Sequence, residues 1–348
     1  MPKARSKPAI RPRLKCYDMK PLSFVIITYN RPEDMLALVE NLSRLEGLDE
    51  WVEELIIVNN QSSVSYQPVE DFIASHPAIP FRYFVAPENL GVSRGRNYAV
   101  RQSRAPILIF LDDDALVRNN DALRFILPIF GITAFTSSGS IMVPPGQDAS
   151  VAVQPADACD AARPIGIAAF KVFYFSTGQL QENAFPHKRF TERKDWPHFD
   201  TAYFSGCAHA IRRSVFDEAG YYPENFFYGM EEYDLSYRAL DKGYTIRYDD
   251  RVQILHKESP GGRLPPGEKL RGMWVNKSKV AWKYLPRRYF FSTAALWSLE
   301  YLKKSGWNLR GFCKGWKEIT RIPGMEKRTP VGHRTLIYLR RVKARLTY

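Results

Sequence analysis

The run "ILIFLDDDALV" (107–117) places three carboxylates, Asp112, Asp113 and Asp114, directly behind an apolar stretch. Neighbouring like charges repel, and each resists leaving water. Such a cluster suits a hard divalent cation, which takes oxygen ligands and can share them with a diphosphate. The plainer alternative is a solvated turn or a helix N-cap. A second group, Glu231, Glu232 and Asp234 in "YGMEEYDL" (228–235), stands at a predicted helix start, where the helix dipole favours acids. Two carboxylates there can divide general-base work: one holds a substrate hydroxyl and the other removes its proton. His256 closes the run "VQILH" and reads either as a ligand or as a satisfied structural histidine.

These groups need elements to hold them. "LSFVIITYN" (22–30), "ELIIVNN" (54–60), "FRYFVA" (81–86) and "PILIFLDDD" (106–114) are predicted strands of almost unbroken apolar residues. Helical patterns separate them: "RPEDMLALVENLSRL", with Pro32 and two acids in its first turn, a short helix near 69–75, and "GVSRGRNYAVRQS". Strands buried on both faces and joined by helices imply a parallel sheet covered on each side. Ligands of such sheets bind beyond the carboxyl ends of the strands. Thr28 and Asn30, Asn59 and Asn60, and the acidic triplet all fall there. Residues 131–200 show little periodicity and are expected to be loops with a few strands. "EEYDLSYRALDKGY" is a predicted helix ending at Gly243, and "TIRYDDRVQILHK" gives one or two strands.

The net charge of +13 is unevenly spread. Residues 1–20 carry net +6, residues 21–256 net −10, and residues 257–348, with 22 basic and five acidic side chains, net +17. This predicts a basic arm (1–20), an acidic globular body (21–258, with halves 21–118 and 119–258) and a basic, aromatic helical extension (259–348). The arm lacks the apolar core of a secretory signal, and "YFFSTAALWSL" (289–299) is too short to span a bilayer. Four cysteines without a CxxC pair read as reduced thiols rather than a zinc site. A P-loop and a Gly-x-Gly-x-x-Gly are absent, so a Walker NTPase or a dinucleotide enzyme is not supported.

Five blocks in order, "VIITYNRPEDML", "LIIVNNQSS", "NLGVSRGRNYAV", "ILIFLDDDA" and "NFFYGMEEYDLSYRALDKGY", resemble glycosyltransferase family 2 of the GT-A fold over residues 23–256. The resemblance implies an inverting, metal-dependent transfer of a hexosyl or deoxyhexosyl group. The donor would be a nucleoside-diphosphate sugar, UDP- or dTDP-linked, and the acceptor a hydroxyl of a glycan or lipid-linked molecule in polysaccharide or glycolipid synthesis. By the same resemblance Asp112 faces the ribose, Asp113 belongs to the nucleotide-sugar site, and Asp114 and His256 bind Mg²⁺ or Mn²⁺. Thr28 and Asn30 cradle the base. The family has an acid where this chain has Asn59, whose amide can still accept a hydrogen bond but carries no charge. Arg96 matches an arginine facing base or phosphate. Glu232 takes the position of the base, with Glu231 as its alternative. Tyr228 can stack on an acceptor sugar. Asp234 is placed on the acceptor side, or else caps its helix or holds Arg238.

The extension mixes Trp, Tyr and Phe with Lys and Arg, a composition that fits an anionic membrane surface or packing against the acidic body. It also fits nucleic acid, but the acidic body argues against that partner. The sequence thus predicts a cytoplasmic enzyme with peripheral contact to the inner face of the membrane. The alternative is a noncatalytic carbohydrate- or membrane-binding scaffold, against which the intact acidic groups speak.

Overall fold

The computed structural model describes residues 19–132, 163–226, 229–259 and 265–346. Nine strands form one mixed sheet: β1 (Leu22–Thr28), β2 (Val52–Asn59), β3 (Phe81–Val85), β4 (Ile107–Asp112), β5 (Ala115–Val117), β6 (Ile165–Tyr174), β7 (His198–Thr201), β8 (Ala208–Arg212) and β9 (Thr245–His256). The order is β3-β2-β1-β4-β8-β6-β9-β5, with β7 also paired to β9. The first four strands run parallel, as the buried runs predict, and β8 enters antiparallel to β4. The final pattern "TIRYDDRVQILH" is one long strand, whose pairing with β6 jumps from Asp249 opposite Phe170 to Gln253 opposite Lys171.

Successive side chains of β1 explain the two cores. Phe24 and Ile26 pack with Met35, Leu38 and Leu123 on one face, while Val25 packs with Val100, Phe216 and Leu235 on the other. The second core continues without a break into the basic extension, through Trp274, Tyr284, Tyr301 and Leu339. Helices Pro266–Tyr284, Arg287–Lys304, Leu309–Met325 and His333–Arg341 therefore pack on the body. Of the readings offered by composition, packing is what the chain does with the inner face of this segment.

One carboxylate joins the two parts. Asp234 is 1% exposed; its Oδ1 accepts from Arg238 Nε at 2.8 Å, and its Oδ2 accepts from Tyr284 Oη at 2.9 Å and from Lys283. Arg238 in turn donates to the carbonyls of Gly220 (2.9 Å) and Tyr221 (2.7 Å). This corrects the acceptor-side assignment of Asp234: both oxygens are committed inside the protein, and the alternative of holding Arg238 is the one realised. Tyr228 lies outside the described residues. Asp234→Ala would strand two cations at a buried contact, so thermal unfolding should show a loss of about 3 kcal/mol. An unchanged melting temperature would mean that this joint carries no weight.

Candidate active site

The carboxyl ends of β1, β2 and β4 meet the start of the helix Glu231–Asp241 and the end of β9. The acidic triplet divides by direction. Asp112, at the end of β4, is the most open, with a side chain 34% exposed. Asp114 turns toward β9, where His256 Nε2 lies 3.3 Å from its Oδ1 and Ser259 N–H donates to its Oδ2 at 2.9 Å. Asp112, Asp114 and His256 each bring a ligand atom within 4.8 Å of the others. Two carboxylates and an imidazole form a donor set suited to a hard or borderline divalent ion. His256 Nδ1 sits 3.0 Å from Gln181 Oε1. Donation from Nδ1–H to that oxygen leaves Nε2 to face Asp114, the usual outer support of a histidine ligand. Burial opposes a charge on His256, but Asp114 beside it raises its pKa overall.

Asp113 departs from the reading of a nucleotide contact. It points back under β1, where its Oδ2 accepts from Thr28 Oγ1 at 2.8 Å and its Oδ1 from Arg31 Nη1 at 2.8 Å. Burial, against the pull of Arg31, pushes its carboxyl up to about 7. Arg31 also stands 3.2 Å from Asp114 Oδ2. Thr28 is buried between Asp113 and Tyr66 Oη, 2.6 Å away, so its hydroxyl braces the strand end. Asn30 takes positive φ (54°) and accepts from Ser63 N–H at 2.8 Å, fixing the loop after β1. Asn59 donates to Tyr83 Oη at 2.8 Å and accepts from Ser62 N–H at 2.9 Å. One lone pair of its amide oxygen is thereby used, and a second remains by chemistry.

Arg96 joins the two carboxylate groups. Its helix, Gly91–Gln102, packs against β1 and β2 and delivers the guanidinium 2.9 Å from Asp112 Oδ1, 2.8 Å from Gly206 O and 3.2 Å from Glu231 Oε1, with Glu232 Oε1 at 3.9 Å. It is 4% exposed and stands over the Tyr222 ring. Burial opposes its charge, but the surrounding acids raise its pKa overall. Glu231 and Glu232 open their helix after Gly229 and Met230, both at positive φ (79° and 73°). That turn aims the first helical residues, and their carboxylates, at Arg96. Burial first, then the neighbouring Glu231 charge, pushes Glu232 up to about 8, and burial also raises Glu231.

Three participants escaped the sequence reading. Arg31 signals itself only as a cation at the end of the strand beside the triplet. Gln181 lies in the stretch without period. Gly206 leaves no room for a side chain: an added Cβ would collide with Glu232 Oε1 and come within 3.3 Å of Arg96 Nη2.

The Glycosyl transferase family 2 profile matches residues 23–220. An uncharacterized protein of Haemophilus influenzae is 24% identical over 203 residues, 58% of this chain and 92% of that one. Among solved structures, the mannosyltransferase PcManGT from Pyrobaculum calidifontis, in complex with GDP-Man and Mn²⁺, superposes with a TM-score of 0.53 at 15% identity, covering 88% of this chain and 79% of that chain. S. aureus TarS 1-349, in complex with UDP-GlcNAc, gives a TM-score of 0.55 at 12% identity, over 90% and 82% of the two chains. At such identities the structures speak for the fold.

The donor set makes a direct prediction. Mn²⁺ at about a hundred times its dissociation constant should stabilise the protein by roughly 2.7 kcal/mol in thermal unfolding. Asp114→Asn should lose that gain. An equal gain in the variant would move the metal elsewhere. With the parallel strands, the two carboxylate groups and the matched span of residues 23–220 taken together, the chain belongs to glycosyltransferase family 2 and has the GT-A fold.

Proposed function

We propose that the protein is an inverting glycosyltransferase that passes a hexosyl or deoxyhexosyl group from a nucleoside-diphosphate donor to a hydroxyl of a glycan or lipid-linked acceptor. The observation that carries this reading is the bridge Asp112–Arg96–Glu231, which sets a metal-type donor set and a raised-pKa carboxylate pair on one face of the sheet. A divalent cation held by Asp112, Asp114 and His256 would neutralise charge on the departing nucleoside diphosphate. Glu232 is the general base: it takes the proton of the acceptor hydroxyl as that oxygen bonds to the anomeric carbon and the bond to the diphosphate oxygen breaks. Glu231, more deeply buried and tied to Arg96, orients the pair. Arg96 and Asp112 face the donor, with the loops held by Asn30 and Asn59 around its base. UDP and dTDP sugars lead the donor panel, with GDP sugars beside them.

Glu232→Gln should lower transfer by at least about 100-fold while donor and Mn²⁺ still stabilise the variant. Transfer near the wild-type rate would remove Glu232 from the role. The base works deprotonated, so kcat/KM for the free enzyme should rise with pH through a limb near the raised value of about 8. In Glu231→Gln the limb should fall to lower pH, because the neighbouring negative charge is gone.

Gly206→Ala tests positioning. Its methyl would displace the end of a flexible side chain rather than backbone, so the melting temperature should hold. Transfer should drop by about 100-fold, as for a catalytic group moved by roughly 1 Å, with donor-induced stabilisation kept. Full activity in this variant would show that Glu232 needs no such placement.

A further inference from the structure

The outer face of the helix Arg287–Lys304 is unlike the rest of the surface. Phe290, Thr293, Ala294, Ser298 and Tyr301 bury its inner side. On its outer side Phe291 is 64% exposed, Leu296 48% and Leu299 64%, and the following turn presents Trp307 at 71%. Isolated apolar side chains on a surface are ordinary, but three large ones gathered within about 140° of arc on one helix are not. The row is framed by exposed cations, Arg287 and Arg288 at its start and Lys303 and Lys304 at its end. Of these four, Lys304 pairs with Glu300, at 2.8 Å.

A second feature lies beside it. A hollow of about 330 Å³ is lined by Lys188, Arg189, Arg340, Lys343 and Tyr289, with no carboxylate in its wall. Arg189 and Lys343 both reach toward Glu192, at 2.7 and 3.9 Å, which leaves the lining with a cationic excess. Tyr289 belongs to the same helix as the row. Residues seven apart share a side of a helix, so Tyr289, Leu296 and Lys303 follow one line. The hollow therefore shares Tyr289 with the basic first turn of the helix that carries the row.

We infer that this face is a docking surface for an anionic phospholipid membrane. The helix would lie in the interface plane, with Phe291, Leu296, Leu299 and Trp307 among the upper acyl chains. Phosphate headgroups would meet the framing cations and enter the hollow. Among the described residues no helix is long and apolar enough to cross a membrane, so the contact is one of lying on the surface. Charge complementarity selects this occupant, since residues 257–348 carry 22 basic against five acidic side chains. The inference goes beyond the proposed transfer reaction and does not depend on the donor site.

The test is flotation of the full chain with phosphatidylglycerol-containing vesicles and with neutral phosphatidylcholine vesicles. Wild type should float with the anionic vesicles, and about 0.5 M NaCl should weaken binding by roughly tenfold or more. Phe291→Ser with Leu299→Ser, and separately Arg340→Glu with Lys343→Glu, should each cut partition by about tenfold. Their melting temperatures and donor-induced stabilisation should stay at wild-type values, which separates failure here from failure of the transferase reading. Equal flotation of variants and wild type, or equal binding to neutral vesicles, would overturn the assignment. So would a wild-type dimer that the Phe291→Ser and Leu299→Ser changes dissociate, because the row would then be a contact between copies.

Discussion

The site depends on a buried guanidinium. Glu231 and Asp112 come from elements far apart in the chain, and both bring a carboxylate to Arg96, Glu231 from a buried position and Asp112 from a half-open one. Two like charges about 4 Å apart repel by roughly 4 kcal/mol at an effective dielectric near 20. Without a fixed cation the end of β4 and the start of the Glu231–Asp241 helix would separate, or their carboxyl groups would stay protonated. Arg96 answers with a planar fork that reaches Asp112, Glu231 and the Gly206 carbonyl at once. A lysine could supply the charge but not that geometry. The ring of Tyr222 underneath and the Asn97 side chain, which bonds to both N–H and C=O of Tyr222, keep the fork in place.

The same logic is repeated around the site with other cations. Arg31 sits among Asp113 and Asp114, and Lys283 with Arg238 holds Asp234. In each case an acid that looked available in the sequence is divided between structure and chemistry by what reaches it first. Of the triplet, Asp113 is spent on the strand end, Asp114 faces His256, and Asp112 stays open. Of the helix-start group, Asp234 is spent on the basic extension, and Glu231 and Glu232 remain for the site. The excess positive charge of the extension is thus used on both sides, inward against the body and outward around an apolar row.

Much of this arrangement was legible in the chain. Four runs gave four parallel strands: β1, β2 and β4 are buried on both faces and dispense with alternation, while β3, at the sheet edge, is only half-buried. Asp112, Asp114, His256 and the Glu231–Glu232 pair sit at or beside the ends of elements whose period is clear, whereas Arg96 stands mid-helix and was singled out by the family resemblance alone. What the sequence did not disclose was direction. Three consecutive aspartates leaving a strand point to different sides, and nothing in "DDD" says which one turns inward. Asp234 lies two residues beyond Glu232, about 200° around the helix, so it leaves the site and meets Lys283. β6 and Gln181 were hidden in a stretch without period, and Gly206 looked like any loop glycine until its distance to Glu232 was known.

The raised pKa of Glu232 follows from the same constraint. Burial raises it first; beyond that, one guanidinium facing three carboxylates cannot neutralise them all, and the shortfall falls on the group with the weakest hold on it. Asp112 and Glu231 make direct contacts with Arg96, whereas Glu232 stands at 3.9 Å and close to Glu231. Glu232 therefore holds its proton more tightly than an ordinary glutamate, and its basicity is set by packing rather than by a dedicated partner. Gly206 completes the arrangement with its carbonyl on Arg96 and, lacking a side chain, with space for the Glu232 carboxylate. A site built this way gains a base near neutral pH from ordinary glutamates, at the cost of tolerating no bulk behind them.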